Sequence, residues 1–599
     1  MASDPTTRAI AQAARRGVSS RRGRRRASDP AGAPRHLVAR ALSAETVELT
    51  WHPPRPVRTA HHRRPARPHV YRIFRDGRVI GRAHTTRFFD TRALPGTHYR
   101  YTVKAYPRHG TASRACLPAA VRTGVTLCTP AQLRRGIPAI GLGTAMTQEM
   151  VDRVLWRAGF GASDADRRTW LGRPVGQLLQ WLLSTPQSYR PTNTVPLADS
   201  GAVIDPLVTN AELVLEWVDR MQRAVNPLTE RLTFFWHRHW AVSRNDGVPA
   251  AFLVAYRNRL QRYGDLAANP GASFRTLAVE MTTQDAAMSL FLNQNQNVRA
   301  HPNENYAREF MELFCLGVTD DAGQPNYSQT DVQQLARAFT GWRLDKNAGS
   351  PTYGQVTFNP SAYDGGVKAV LGRAGAFDAP GAVDVVLSHP SHAPHLINKL
   401  WAEFIATPIP PATLAGLTAA YTAGGGGLCL APVLAGILGH PLLFESLCEP
   451  NLVKPPIVAA VGALRALDVP LKGSAIPQAL ANMQQLPYSP PNVAGWEGGM
   501  SWLNSGTAEA RFDLIVRGQN LRWGGYPGTA PVADVPRESG DQALARARAN
   551  SGSPWLSPAT QSTLLAYARS APAGSPSQRR QRYYALQASL MGGPDGQVM

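Results

Sequence analysis

The spacing of the apolar residues changes near residue 147, and this change limits what the chain can fold into more than any other feature. Before it, apolar and polar residues alternate in "ETVELTW" and in "HVYRIFRDGRVIG", which has Asp-Gly at a turn. After it, apolar residues recur every three or four positions, as in "QEMVDRVLWRAGFG" and "HLINKLWAEFIA". The predicted fold class is therefore multidomain, with a small all-β sandwich followed by a large mainly α-helical domain.

The length of 599 residues also favours several domains, because single hydrophobic cores stop growing at about 250–300 residues. The first 30 residues hold eight Arg and two Asp, with too little apolar surface to fold alone. Aromatic residues are not interleaved with these Arg residues, which argues against nucleic-acid binding. A solvated tail and a segment that binds an acidic surface both remain open. The predicted organisation is a disordered basic tail, a β-sandwich, a linker and a helical domain, spanning residues 1–33, 34–124, 125–146 and 147–599.

Targeting and redox features are sparse in this sequence. It has no run of eighteen apolar residues, so we expect no transmembrane helix. Pairs of arginines near the start are not followed by an apolar stretch, so no signal peptide is visible. The five cysteines form no Cys-x-x-Cys pair, which argues against a zinc ribbon and a disulfide framework. We expect the protein to stay in the cytoplasm or to be exported with a signal-bearing partner.

The segment "HPNENYAREFMELFCLGV", residues 301–318, places charged residues beside large apolar ones. On a helical wheel its charged residues occupy one side and its aromatic residues the other, which predicts one amphipathic helix over 304–315. Asn303 is the expected N-cap after Pro302. The polar side consists of Glu304, Asn305, Arg308, Glu309 and Glu312.

This polar side has two interpretations. It is either a solvated face held by i,i+4 pairs, or the wall of a pocket. In a pocket, Glu309 and Glu312 could bind a divalent metal or act as general acid and base, held by Arg308. The spacing does not decide between these interpretations.

A second group of candidate residues lies in "RLTFFWHRHW", residues 231–240. His239 shares a face with Leu232, Phe235 and Trp236, so we expect it in the core, whereas His237 points away and is expected at the surface. Two histidines in this arrangement cannot bind one metal from a regular helix. A metal or catalytic site that uses His239 therefore needs partners from another helix.

Two further blocks carry candidate binding residues. Ser328 and Asp331 have the spacing of a capping box at the start of a helix that also contains Arg337. The stretch 485–505 is rich in Pro, Gly and Trp and contains Asn492 and Trp496. Such an aromatic loop either lines a site or seals the core.

Residues 34–124 resemble a fibronectin type III module. The resemblance rests on Trp51 in an early strand, the turn "LPGT", and Tyr99 and Tyr101 in the strand that follows, where Tyr99 takes the place of a corner tyrosine. Modules of this type usually bind partners or act as spacers.

Residues 147–599 resemble the bacterial family called domain of unknown function 1800 (DUF1800). The match consists of "RVLWRAGFG", "FFWHRHW", "NENYAREFMELFCLGV", "YSQTDVQQLARAFTGW", "KAVLGR", "LVKPPI", "PPNVAGW" and "WLNS", in that order. Where the family commonly has His-Asp before "KAVLGR", this chain has Tyr363 and Asp364, which puts any role of that histidine in doubt. The polar signature that the resemblance implies falls on His237, His239, Asn303, Glu304, Asn305, Arg308, Glu309, Glu312, Asp331 and Arg337.

The resemblance implies a helical domain of unassigned chemistry, often encoded beside an exported protein of the sulfatase- and phosphatase-like superfold. One hypothesis is a binding or accessory protein that acts with such a partner or with an envelope polymer. The alternative is a hydrolase that uses Glu309 or Glu312 as base, with His239, Asp331 or a bound Zn, Mn or Fe ion nearby. We favour the accessory role because the spacings give no complete catalytic geometry.

Overall fold

The computed structural model divides the chain into two compact units, Met1–Val125 and Thr126–Met599. It describes residues 33–41, 47–54, 69–90, 93, 98–107, 112–122, 141–191, 195–423, 428–445, 447, 450–523 and 535–599. The predicted basic tail, apart from residue 33, and residues 125–140 of the predicted linker lie outside the described residues.

The first unit is a small β region made of two antiparallel sheets. The strands are β1 Arg35–Ala41, β2 Val47–His52, β3 Val70–Arg75, β4 Arg78–Ala83, β5 Arg87–Asp90, β6 His98–Tyr106 and β7 Ala119–Arg122. One sheet has three strands in the order β1-β2-β5, and the other has four in the order β4-β3-β6-β7. The predicted hairpin is confirmed: β3 pairs with β4, and the turn residues Asp76 and Gly77 have φ values of 49° and 81°.

Alternation of buried and exposed residues along these strands produces one core. Trp51 packs edge-on against Tyr71, and both side chains are almost fully buried. The hydroxyl of Tyr101 donates to Asp90 at 2.7 Å, and Arg75 pairs with the same carboxylate at 2.9 Å. A buried carboxylate is stable when it is paired and hydrogen-bonded in this way.

The second unit is mainly α-helical. Many of its helices begin at Ser, Thr, Asn or Asp caps, including the capping box between Ser163 and Asp166. No described helix has the length and the apolar character that crossing a membrane would require. The α-helices are α1 Gln148–Arg157, α2 Asp164–Trp170, α3 Val175–Ser184, α4 Asn210–Arg223, α5 Pro227–His239, α6 Ala250–Gly264, α7 Phe274–Thr283, α8 Ala286–Phe291, α9 Asn305–Glu309, α10 Gln329–Ala338, α11 Ala379–Leu387, α12 His392–Phe404, α13 Pro411–Thr422, α14 Leu430–Leu438, α15 Pro456–Leu467, α16 Ala475–Asn482, α17 Ser505–Trp523, α18 Gly540–Asn550, α19 Pro558–Ser570 and α20 Pro576–Gly592.

Shorter elements connect these helices. A π-helix continues directly from α9 over Phe310–Leu316. Two small hairpins follow α10, formed by β8 Trp342–Leu344 with β9 Val356–Phe358 and by β10 Lys368–Val370 with β11 Arg373–Gly375. Single turns of 3₁₀-helix occur at Arg244–Asp246, Gln294–Gln296, Pro360–Ala362, Pro441–Phe444, Gly499–Trp502 and Pro594–Gln597.

Helix α5 is almost entirely buried and fixes the position of the π-helix. Trp240, which ends α5, packs against Phe274 and against Phe314, with ring centroids 5.8 and 4.3 Å apart. The buried Arg231 of α5 pairs with Glu403 of α12 at 2.7 Å. Aromatic packing and a buried ion pair thus bring α5, α12 and the π-helix together.

Candidate functional site

The predicted amphipathic helix over 304–315 is confirmed in its polarity and wrong in its geometry. Tyr306, Phe310 and Phe314 are fully buried, as the wheel predicts. The segment, however, begins as α-helix and continues as π-helix from Phe310. The residue at the N-cap is Glu304 rather than Asn303, although the side chain of Asn303 accepts a hydrogen bond from the backbone of Asn305 at 3.0 Å.

The outer side of this segment carries the charged side chains. Arg308 pairs with Glu304 at 2.9 Å and donates to Gln329 of α10 at 2.9 Å. Gln329 in turn donates to Glu304 at 2.6 Å. Both charged partners remain about one-third exposed, so this triad is a surface network in which Arg308 holds Glu304. Asn305 beside it is exposed.

Glu309 and Glu312 lie half-buried further along the same side. Burial, followed by the nearby charge of Glu312, raises the pKa of Glu309, and Arg308 opposes this rise. Glu312 accepts a hydrogen bond from the hydroxyl of Tyr327 at 3.1 Å. We call Glu304, Glu309 and Glu312 the acidic face.

The carbonyl end of the π-helix carries a different group of side chains. His395 and Lys399 both donate to the carbonyl of Leu313, at 3.1 and 2.6 Å. His239 donates through Nε2 to Phe314 at 3.0 Å, and His392 donates through Nδ1 to Cys315 at 3.0 Å. We call these four side chains the imidazole–lysine cluster: His239, His392, His395 and Lys399.

The cluster completes hydrogen bonds that the helix itself cannot make. Carbonyls at a helix end lack partners within the helix, and the backbone N–H of Gly317 reaches back only to Glu312, at 3.1 Å. The partial negative charge at this end favours donors and cations. Gly317 has φ 80°, and a Cβ there would lie 3.1 Å from Nδ1 of His395. Glycine suits this position because another residue would be strained at this φ and its Cβ would crowd the His395 ring of α12.

The imidazoles of the cluster are held in the neutral form. Burial lowers the pKa of His392 and of His395 to about 4. Burial, followed by the charge of Lys399, lowers the pKa of His239 well below its ordinary value. Burial also lowers the pKa of Lys399 to about 8. Neutral imidazoles with one fixed N–H are suited to hold a backbone carbonyl.

His239 does not join Glu309 or Glu312. Its Nε2 bonds the π-helix backbone, and its buried Nδ1 has no hydrogen-bond partner within the described part of the chain. Its ring packs among four aromatic side chains, those of Phe235, Trp236, Phe274 and Phe314. Within the described residues, no three His, Cys, Asp or Glu side chains form a group that could hold a metal ion. The three proposed metal ligands are therefore not supported as one donor set by this geometry.

Sequence reasoning missed His392, His395 and Lys399. Their spacing in "HAPHLINK" repeats at three and four residues, which puts them on one side of a helix. That pattern of basic residues on an otherwise apolar helix could have revealed them.

The family is identified by a direct comparison. A family model described as "Protein of unknown function (DUF1800)" matches residues 153–598. The chain belongs to the DUF1800 family. No curated protein matches the DUF1800 chain at a significant level.

Several solved structures resemble the chain over its N-terminal part. FN3tt shares 18% identity over 15% of this chain and 91% of its own length, with a TM-score of 0.12. A fourth FNIII domain of human origin shares 20% identity over 19% of this chain and 93% of its own, with a TM-score of 0.13. Titin domains A168–A170 share 22% identity over 16% of this chain and 33% of their own, with a TM-score of 0.14. The chain thus spans about one-third of the titin structure, and these scores establish no shared fold.

His237 is buried in this DUF1800 chain, so the prediction of a surface position is wrong. Its Nδ1 bonds the hydroxyl of Tyr256 at 3.0 Å, and its Nε2 accepts from the backbone of Tyr488 at 2.9 Å. Burial lowers the pKa of His237 to about 3. Both ring nitrogens are engaged, because α6 and the loop after α16 close over the outer side of α5.

That loop contains the predicted binding residues Asn492 and Trp496. Trp496 is 5% exposed and stacks on Phe234 of α5 with centroids 5.7 Å apart. Asn492 is exposed and accepts from the backbone of Ala494 at 2.9 Å, as a turn residue does. A Cβ on Gly495 would lie 2.5 Å from the carbonyl of Arg238. In the described geometry this loop seals the core over α5.

Asp331 and Arg337 of α10 hold the β10–β11 hairpin and the residues just before it. The predicted capping box between Ser328 and Asp331 is confirmed. Asp331 also accepts from the backbone of Leu371 at 2.7 Å, and Arg337 donates to Asp364 at 2.7 Å. Although burial opposes it, these hydrogen bonds from Ser328 and Leu371 lower the pKa of Asp331.

Tyr363, which stands where the resemblance leads us to expect histidine, has a packing role. Its hydroxyl donates to the carbonyl of Phe377 at 3.0 Å. The ammonium of Lys368 lies 4.8 Å from the centre of its ring and donates to the carbonyl of Asp364. The phenol therefore links the β10 strand to the start of α11 without an imidazole.

Proposed function

We propose that this DUF1800 protein is a binding or accessory protein, and that the acidic face of its helical unit contacts a protein partner. The main support for this proposal is that the imidazoles of the cluster form hydrogen bonds with the protein's own backbone. His239, His392 and His395 each donate to a π-helix carbonyl. They thereby shape the segment that displays the acidic face, and their depressed pKa values disfavour proton transfer near neutral pH.

The acidic face offers a partner the adjacent carboxylates of Glu309 and Glu312. Glu309 is half-buried and has no hydrogen bond or ion pair recorded in the described part of the chain, whereas Glu304 is held by Arg308. Two adjacent carboxylates on a shaped surface suit a basic or donor-rich partner segment. The partner that the resemblance implies is an exported sulfatase- or phosphatase-like protein.

The N-terminal unit is proposed to serve docking as well. Its three- and four-stranded sheets are consistent with a fibronectin type III module, and such modules bind partners or envelope polymers. The basic tail would add attraction to acidic surfaces. Under this proposal the cell envelope or the signal-bearing partner determines where the protein resides.

The hydrolase alternative is favoured by one observation. A carboxyl with a raised pKa beside a second carboxylate is the arrangement of a general acid with its base, and Glu309 next to Glu312 fits it. The Asp331 carboxylate already accepts hydrogen bonds in the capping box of α10 and from Leu371 of the β10–β11 hairpin. A divalent metal would need donors beyond those that the described residues bring together.

Co-expression with an exported sulfatase- or phosphatase-like protein, of the kind that the resemblance implies as partner, tests the accessory role. We expect the two proteins to purify together, and the pair of substitutions Glu309→Lys and Glu312→Lys to abolish the complex while circular dichroism stays unchanged. Asp320→Lys, at an exposed acidic residue in the turn after the π-helix, is the matched control and should leave the complex intact.

The same preparations test the alternative. Metal analysis and ester or phosphoester hydrolysis would be measured on the chain alone. A bound stoichiometric metal together with turnover that Glu309→Gln abolishes would overturn the accessory proposal in favour of the hydrolase. Loss of the complex on deletion of residues 1–124 would assign docking to the N-terminal unit rather than to the acidic face.

A further inference from the structure

A cavity of about 220 Å³ lies in the helical unit, away from the acidic face and the imidazole–lysine cluster. Its walls come from the end of α1, the start of α2, helix α15 and the end of α18. Trp156 is among the lining residues, and three arginines also line the cavity: Arg167, Arg190 and Arg465. Arginines around a cavity are suited to bind an anion.

Arg465 is the residue that makes this cavity unusual. Its Nη1 atom is buried and has no hydrogen-bond partner among the residues that the structure describes, although a buried charged donor without a partner is costly. Burial, followed by the like charge of Arg190, lowers the pKa of Arg465 to about 10, and Asp166 opposes this effect. The guanidinium therefore stays charged at neutral pH.

The acidic groups near the cavity are already engaged. Asp166 accepts from the backbone and the hydroxyl of Ser163 in the capping box of α2. Asp164 pairs with Arg167 at 3.5 Å, and Arg167 also pairs with Asp152 at 2.8 Å. The charge of Arg167 is thus neutralised locally.

The other two arginines keep an excess of positive charge at the cavity. In the described part of the chain, neither Arg190 nor Arg465 has a recorded ion pair. Arg190 is exposed, so it lies where the cavity opens to solvent.

A second cavity of about 160 Å³ shares Arg190 and Arg465 with the first. Its acidic lining residues include Asp219, which is paired with Arg223, and Asp468. Arg190 and Arg465 therefore line both of these adjoining cavities. The first alone has room for about seven water volumes at roughly 30 Å³ each, which is enough for a phosphate group and the first atoms attached to it.

We propose that Arg465 and Arg190 form a phosphate-binding site, in which the planar guanidinium of Arg465 donates to two phosphate oxygens and Arg190 covers the entrance. Arginine is suited to this role because its fork of N–H groups matches phosphate geometry. The ligand class is inorganic phosphate or the phosphate group of a small molecule whose remaining atoms contact Trp156. This site is independent of the proposed accessory function.

Calorimetric titration of the full chain with inorganic phosphate tests the site, with potassium chloride at matched ionic strength as the reference. The match matters because a formal charge of +23 attracts any anion. We expect saturable binding to phosphate that Arg465→Met weakens at least tenfold and Arg190→Met weakens severalfold. Arg168→Met, at an exposed arginine of α2 outside the cavity, should bind as the parent does.

A parallel titration with glycerol 3-phosphate distinguishes the two sources of the phosphate group. Tighter binding of the ester identifies a phosphorylated small molecule as the ligand, and equal or weaker binding identifies free phosphate. Heat that chloride reproduces at matched ionic strength, or unchanged affinity in a folded Arg465→Met variant, would overturn the proposal. If Arg465→Met fails to fold, Arg190→Met and Arg465→Lys test the proposal instead. Each of these two variants must weaken phosphate binding, and unchanged binding would overturn the proposal.

Discussion

Two regions of the segment 304–316 differ in how their polar groups are satisfied. On the acidic face, the Glu304–Arg308 pair is about one-third exposed and sits in water. At the carbonyl end, His239 and His392 are almost fully buried and bond to the π-helix backbone. The same short segment therefore carries a solvent-exposed ion pair near its start and buried side-chain hydrogen bonds at its end.

This difference predicts which polar residues of the segment and its neighbours stabilise the fold. A surface pair in high dielectric contributes little to stability, whereas a buried donor that completes a backbone hydrogen bond cannot be removed without leaving a carbonyl unpaired. We therefore expect the imidazole–lysine cluster to determine stability and the acidic face to determine binding. Four measurements test this expectation.

The largest expected effect is acid sensitivity. Burial depresses the pKa values of His392 and His395 to about 4 and that of His237 to about 3, and it also depresses that of His239. Because these folded values lie below the unfolded value of 6.5, stability is complete above pH 6.5 and is lost as the pH falls. Each group costs up to about 1.4 kcal/mol per pH unit.

Urea unfolding followed by far-UV circular dichroism at pH 7 and pH 5 measures this effect. We expect the helical unit to lose about 5 kcal/mol or more, since several histidines titrate together. His392→Gln should reduce the pH dependence, while His301→Gln, at an exposed position, should leave it unchanged. An equal urea midpoint at both pH values would show that the cluster is not buried as described.

Removing one cluster donor gives the next largest effect. His392→Leu leaves the carbonyl of Cys315 and the hydroxyl of Tyr421 without the partners that now lie at 3.0 Å. We expect a loss of about 2–4 kcal/mol in the free energy of unfolding at pH 7. His301→Leu is the matched control and should change it by less than about 0.5 kcal/mol. Similar losses in both variants would contradict the contrast.

Two glycines separate backbone strain from the contact with the cluster. Gly317 and Gly323 have φ values of 80° and 76°, but only at Gly317 would a Cβ meet another group within 4 Å, namely the His395 ring. Alanine at either position costs about 1 kcal/mol through strain. We expect Gly317→Ala to cost more than Gly323→Ala in thermal and urea unfolding. A reversed order would argue against tight packing of α12 on the π-helix.

The smallest expected effects lie on the acidic face. The folded pKa of Glu309 is raised above 4.5, so stability falls as the pH rises through that window, and Glu309→Gln should leave stability at pH 7 unchanged or slightly higher. Glu304→Gln breaks an exposed pair with Arg308 and should cost at most about 0.5 kcal/mol, less in high salt. A loss above 2 kcal/mol in either variant would place the acidic face among the structural residues.

Much of the architecture follows from sequence spacing alone. Alternation predicts the β3–β4 hairpin at Asp76 and Gly77, and the spacing of Ser328 and Asp331 predicts the capping box at the start of α10. Both features depend on residues close together in the chain, so local rules suffice. The boundaries of the basic tail and the linker, and the roles of the acidic face and the basic tail, stay predictions.

The parts that failed depend on contacts between distant residues. His237 is buried because Tyr256 and Tyr488 bond the two nitrogens of its ring. The residues within "RLTFFWHRHW" do not predict these two contacts. The regular helix predicted after Phe310 becomes a π-helix whose carbonyls bond side chains about 75 to 86 residues away in the chain.

The spacing of residues predicts a small β region before a large helical part, membership of the DUF1800 family and the polar side of the 304–315 segment, because periodicity and capping are properties of neighbouring residues. The hydrogen bond from His239 to the carbonyl of Phe314, in place of a contact with Glu309 or Glu312, became visible only in the folded structure. The carbonyls at the end of the π-helix need hydrogen-bond donors from outside the helix. These donors come from α5 and α12, which lie far from the π-helix in the sequence and close to it only in the folded protein.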